Sequence, residues 1–276
     1  VTAIEHTVLS SRLAKRRWDF QRFALTPAGI ALRARVGTGP PVVAISIPKA
    51  GTHLSERIVC LHPRYYRRLT RTIWGDENER LARHITRMRR GQVLCTHSYF
   101  SNESLKLIRT AGVRIVFTVR DPRDILLSYA HYVHSDKGHP WHPIFRKIAS
   151  VDDRAALLIE GDSVQGMLPF PDLLDKFWGW LSNDSVILQY EDLIAEPETR
   201  LRVIRRLFED LDAFPGEESL REIANAAISA ASPTFRQGKA GGWRSEFSAE
   251  LLARLDAAAG DQLAFYDERI ASLRRG

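Results

Sequence analysis

Apolar residues fall in short continuous runs, separated by stretches of helical period. Residues 42–47 (VVAISI) are a β-branched apolar run behind Gly39, Pro40 and Pro41, the pattern of a buried strand with turn residues before it. The runs 93–96 (VLCT), 114–119 (RIVFTV) and 185–190 (SVILQY) repeat that pattern. Between them, the spacing predicts helices over 52–61, 79–90, 101–111, 123–134, 172–181 and 197–210. Residues 248–272 predict one or two more, with Ser248 as N-cap. Strands without polar alternation, each followed by a helix, predict an α/β fold: a three-layer sandwich with a central parallel β-sheet flanked by helices.

The 276 residues suit a single domain over 1–276, since no repeat or Gly/Ser-rich linker divides them. No apolar run reaches the roughly 18–20 residues of a membrane span. Arg12, Lys15, Arg16 and Arg17 lead into no apolar signal segment. Two cysteines, Cys60 and Cys95, make neither a disulfide framework nor a zinc spacing, which points to a reducing, cytoplasmic setting. The first residue is valine, so a trimmed start that carried an anchor stays open. A net charge of +7 favours anionic ligands. With charge as its only support, nucleic acid is not an expected partner.

In a parallel sheet, ligands sit beyond the carboxyl ends of the strands. Three stretches there carry candidate chemistry. SIPKAGTHL (46–54) reads as strand, turn and helix, a P-loop NTPase-like arrangement in which Lys49 precedes Gly51 and does not follow it. The turn and the helix start near Thr52 offer backbone N–H groups to an anion. RDPRDILLSY (120–129) sets Arg120 at a strand end and Ser128 about two helical turns on, a pair suited to a phosphate. FRQGKAGGWRSEF (235–247) is basic and glycine-rich, suited to closing over a phosphate. A plain turn, a capped helix and a flexible basic loop are the structural alternatives for the three.

Together these stretches resemble the sulfotransferases that use 3′-phosphoadenosine 5′-phosphosulfate (PAPS). PKAGT (48–52) matches the family's 5′-phosphosulfate loop, Arg120 and Ser128 its 3′-phosphate element, and RQGKAGGWR (236–244) its closing segment; YEDLIAEPETRL (190–201) resembles the segment beside the adenine. The resemblance runs over about 42–247. It implies a PAPS site made of Lys49, Ala50, Gly51, Thr52, His53, Arg120, Ser128, Tyr190, Arg236, Gln237 and Gly238, with adenosine 3′,5′-bisphosphate (PAP) as product and no metal. It further implies in-line transfer to a hydroxyl, or less favourably an amine, with His97 as base, Lys49 assisting the leaving group and Ser128 at the catalytic centre. Gln237 and Gly242 replace the family's usual lysine and aspartate, Leu54 a common tryptophan, and Cys95 a common lysine.

Segments 61–90 and 131–181 are the expected acceptor-shaping insertions. The first carries nine arginines, which suggests an anionic acceptor such as an acidic glycan or a phosphate-bearing lipid, besides small molecules. Tyr65, Tyr66, Trp74, His131 and Trp141 are the acceptor-contact candidates. His131, His134, His139 and His142 do not suit a metal, because Gly138, Pro140 and Pro143 break the helix that would align them. The competing readings are a P-loop nucleotide kinase, which would need G-K-[ST] at the loop's end, and an inactive nucleotide-binding relative.

Overall fold

The computed structural model describes residues 37–182, 184–228 and 240–275. Its strands are β1 (Val42–Ser46), β2 (Tyr66–Arg67), β3 (Ile73–Gly75), β4 (Gln92–Ser98), β5 (Arg114–Val119) and β6 (Ser185–Gln189). All pair in parallel, in the order β2-β4-β1-β5-β6. β3 also joins β4, on the edge that β2 occupies, because Thr96 pairs with Ile45 on one side and Ile73 on the other. The sheet edge is thus one strand interrupted at 68–72. Its two short pieces, in a stretch dense with arginine, lack the apolar run that would announce a strand.

β1 is the central strand and every one of its residues is buried. Alternate residues face opposite layers, as a pleated strand requires. Val43 and Ile45 enter one apolar cluster with Leu94, Ile115 and Phe117. Val42 and Ala44 enter a second with Val93, Val116 and Leu188. The second layer is covered by α1 (Thr52–Leu61), α9 (Pro197–Asp210) and α10 (Glu217–Ala227). The first is covered by α2 (Asn78–Ile85), α3 (Asn102–Thr110), α4 (Pro122–Ser135), α6 (Val151–Glu160), α7 (Phe170–Trp178) and α12 (Ala249–Arg275). Three short helices, α5 (His142–Phe145), α8 (Tyr190–Ile194) and α11 (Trp243–Glu246), sit in the connections. The three-layer parallel architecture is as the sequence predicts.

The 248–272 stretch forms α12, broken at Ala259, where φ is −131°. Ser248 caps it, its hydroxyl accepting from the Leu251 amide at 3.2 Å. Among the described helices, α5, α6, α8, α10 and α11 have no counterpart in the predicted set.

Candidate active site

Two helices begin at the carboxyl ends of neighbouring strands. After β1, Lys49 and Gly51 both adopt the left-handed region, with φ of 74° and 108°. A Cβ on Gly51 would meet the Tyr190 ring at 2.7 Å, so both the backbone angle and the close ring require glycine there. Gly51 is the N-cap of α1 and supplies no side-chain acceptor, and no acidic residue lies in the first turn. The N-terminus of α1 therefore keeps its positive end uncompensated by side chains. Thr52 and Ser46 share a hydroxyl hydrogen bond beneath the turn. When Ser46 donates, the Thr52 proton is available to a ligand.

Ala50 departs from the expected phosphate loop. Its side chain is fully buried, and its amide donates to the Ile47 carbonyl at 3.0 Å to close the turn. The remaining described residues of the expected set converge. Lys49, Gly51, Thr52, His53, His97, Arg120, Ser128 and Tyr190 line one cavity of about 790 Å³. Arg236, Gln237 and Gly238 lie outside the described residues.

Arg120 stacks on the Tyr190 ring, 4.4 Å from its centroid, and donates to the Lys49 carbonyl at 3.2 Å. That bond helps hold the left-handed lysine. The Lys49 ammonium lies 3.9 Å above the Tyr132 ring. Burial, and then the Arg120 charge, lower the Lys49 pKa to about 8, against an opposing pull from Asp136.

His97 ends up buried at the close of β4, and its Nδ1 meets the Ser46 carbonyl at 2.8 Å. A carbonyl only accepts, so Nδ1 carries the proton and Nε2 keeps a lone pair. Burial lowers its pKa to about 4, with the charges of His53 and Lys49 adding and the Ser46 bond opposing. The ring is thus a neutral imidazole with a fixed tautomer. The Trp74 indole packs on it at 4.4 Å.

The closing segment returns onto α4. Asp124, 1% exposed, accepts from the Gly241 amide at 2.6 Å and the Trp243 amide at 3.4 Å. Asp121 accepts from the Trp243 indole N–H at 3.1 Å and caps α4 through the Arg123 amide. The sequence reading assigned neither Asp121 nor Asp124 this anchoring role, because a carboxylate in a first helical turn looks like ordinary capping.

A smaller chamber of about 280 Å³ shares Pro48, Trp74, His97, Tyr129 and Trp141 with the main cavity. Its other walls are mostly apolar, including Tyr99, Leu158, Met167, Phe170 and Phe177. Trp74 and Trp141 thus stand between the two spaces, and the Trp141 indole N–H is tied to the Gln165 carbonyl at 3.1 Å.

Three acceptor candidates are placed elsewhere. Tyr65 is fully buried in the second apolar cluster, and Tyr66 is buried in β2 at the sheet edge; neither lines the main cavity or the smaller chamber. His131 Nε2 pairs with the Glu246 carboxylate at 2.6 Å and so braces α11. The arginines of 61–90 line neither space. Arg67 pairs with Glu56 at 2.9 Å, Arg80 with Glu77 at 2.9 Å, and Arg90 donates to the Thr38 carbonyl. The expectation of an anionic acceptor steered by these arginines loses its basis. Of the histidines, His134 and His142 donate to the Phe145 and Val133 carbonyls. Among the described residues no cluster suits a metal ion.

The sequence model of the sulfotransferase domain family matches residues 40–266. The chain belongs to the sulfotransferase family. Its curated relatives include cytosolic sulfotransferase 9 of Arabidopsis thaliana, 24% identical over 60% of this chain and 55% of that protein. Cytosolic sulfotransferase 16 of the same plant is 27% identical over 54% and 50%. The sulfotransferase thus spans about half the length of the curated relatives it matches. Mouse sulfotransferase SULT7A1 complexed with PAP shares the fold with a TM-score of 0.60 and 15% identity, over 87% of this chain and 91% of that one. Retinol dehydratase, in complex with androsterone and PAP, does so with a TM-score of 0.52 and 16% identity, over 81% and 80%. Among the described residues of this sulfotransferase, no helix is long and apolar enough to cross a membrane.

Proposed function

We propose that this sulfotransferase moves the sulfuryl group of PAPS to a hydroxyl of a small, uncharged, largely apolar acceptor. The reading is carried by the meeting, in one cavity, of the uncapped α1 N-terminus, Lys49, His97, Arg120 and Ser128. The solved relatives SULT7A1 and retinol dehydratase were captured with PAP, which supports the same donor here.

The residues present fit such a donor. The N–H groups around Gly51, Thr52 and His53 would hold the 5′-phosphosulfate. Arg120 and Ser128 would hold the 3′-phosphate, and Leu54 and Tyr190 would flank the base. The donor supplies an electrophilic sulfur and a phosphate leaving group. His97 Nε2 takes the proton of the acceptor hydroxyl. The new S–O bond forms to that oxygen as the bond to the bridging phosphate oxygen breaks. The Lys49 ammonium stabilises the charge that grows there.

The chamber supports the acceptor class, since its mostly apolar walls hold, among the described residues, one carboxylate, Asp76, and no lysine or arginine, so an anionic group entering it would lose solvation without gaining a cationic partner. Retinol dehydratase, which shares the fold, was crystallised in complex with androsterone. Trp74 and Trp141 would flank the acceptor beside His97. The kinase alternative is weakened by Asp121, the carboxylate after β5. It is committed to capping α4 and to Trp243, where a magnesium ligand would have to be available.

The test is transfer of labelled sulfate from PAPS to a panel of phenols, sterols and carboxylated analogues. Lys49→Ala is expected to bind PAP more weakly but measurably, and to turn over on the order of 10²–10³-fold more slowly even at saturating PAPS. Turnover like wild type in that variant would sink the role of Lys49. Preference for the carboxylated analogues would sink the acceptor class.

A further inference from the structure

We propose that Tyr132, in the last turn of α4, and Asp136, its C-cap residue, are positioning residues that seat the Lys49 ammonium at the cavity wall. The inference rests on the reading of Lys49 as the group that meets the donor's phosphosulfate. Asp136 ends α4 in extended conformation, its amide still closing the last turn on the Tyr132 carbonyl. Both line the main cavity. The Tyr132 ring lies under Nζ at 3.9 Å, within cation–π range. Burial and then the Asp136 carboxylate raise the pKa of the Tyr132 phenol, and the same carboxylate favours the Lys49 ammonium. Asp136 is itself fixed, accepting from the Gly138 amide at 3.0 Å while its own amide donates to the Tyr132 carbonyl at 2.8 Å.

The seat opposes every other influence on the lysine. Burial and the Arg120 guanidinium both disfavour the ammonium, and Asp136 is the carboxylate that pulls the other way. His97 from β4 and His139 beyond α4 also feel the Lys49 charge, and His53 faces the same cavity from α1. With the balance near a pKa of about 8, loss of the seat shifts Lys49 towards the neutral amine at working pH. The seat therefore does two things: it stores the proton on Lys49, and it fixes a long flexible chain before the donor arrives.

Binding of PAP to the full chain, measured by calorimetry from pH 7.5 to 10, tests this. In that window Lys49 is the expected titrating group on the cavity wall. Burial pushes the Tyr132 phenol to about 12 and raises the Tyr129 and Cys95 groups, whereas it lowers His97 to about 4. Wild-type affinity is expected to bend downwards near pH 8 and then fall by up to about tenfold per pH unit. Asp136→Asn, which keeps an oxygen for the Gly138 amide, should move the bend lower by about half a unit or more. Asp136→Glu should restore it, and Tyr132→Phe, which keeps the ring, should move it less than Tyr132→Leu. Lys49→Ala should remove the bend. If Lys49→Ala removes the bend but Asp136→Asn and Tyr132→Leu leave it in place, with unfolding temperatures near wild type, the seat is overturned and the role of Lys49 stands. If Lys49→Ala keeps both the bend and full turnover, the role itself falls.

Discussion

Helices α1 and α4 begin at the ends of adjacent parallel strands, yet their N-termini are prepared for opposite tasks. α1 starts at a glycine, has no side-chain cap and carries no acidic residue in its first turn. α4 starts at Asp121, which caps the Arg123 amide, and carries Asp124 one turn in. The positive end of α4 is compensated by the protein's own carboxylates, and those carboxylates then hold Gly241 and Trp243 of the returning segment. The end of α1 is compensated by nothing of that kind. A parallel sheet supplies several helix N-termini along one rim, and the capping residue decides which of them binds an anion and which binds the chain itself.

The sharpest way to break this contrast is to give α1 the cap of α4. Gly51→Asp places a carboxylate and a Cβ where φ is 108° and the Tyr190 ring is 2.7 Å away. PAP affinity is expected to fall more than about 10²-fold, through repulsion of the phosphate and displacement of Tyr190. Calorimetry that finds near-normal binding would refute the assignment of α1. A smaller effect, of a different kind, is expected at α4. Asp124→Ala leaves the Gly241 and Trp243 amides without their acceptor and should cost about 2–3 kcal/mol, read by denaturant unfolding. Hydrogen exchange at 240–246 should rise with it; unchanged protection there would show that the segment is held by other means. Asp121→Ala is the mildest, with about 1 kcal/mol lost from the cap. PAP affinity should stay within about threefold of wild type, since the side chains of Arg120 and Ser128, and not the α4 N-terminus, are assigned to the 3′-phosphate; a larger change would erase the contrast between the helices.

Residues that act through short-range pattern were legible without coordinates. Strands β1, β4, β5 and β6 are apolar runs, and Gly51, Arg120 and Ser128 follow strand ends at informative spacings. Edge strands β2 and β3 were not legible, because two or three residues among arginines carry no period. Tyr65 and Trp74 show the same limit from the other side. Both are aromatic residues of one basic stretch, yet Tyr65 is buried beneath the sheet, and Trp74 stands over His97. A break of a few residues in the edge strand separates their fates. Ala50 was misread because the motif marks a loop but not which of its amides is used internally.

The sequence alone determined the layer order and the family, and it named many of the side chains that line the main cavity. These depend on local periodicity and on motifs whose spacing is set within one strand, turn and helix. Only the tertiary structure decided the tautomer of His97, the shift of Lys49, the anchoring of Gly241 and Trp243 on Asp121 and Asp124, and the mostly apolar walls of the smaller chamber. Each of these depends on burial or on a partner far away along the chain: Ser46 for His97, Tyr132 for Lys49, Gly241 for Asp124, Phe177 facing Trp74. Charge and hydrogen bonding at a site are set by what is close in space, and a linear pattern records that closeness only when the neighbours share an element.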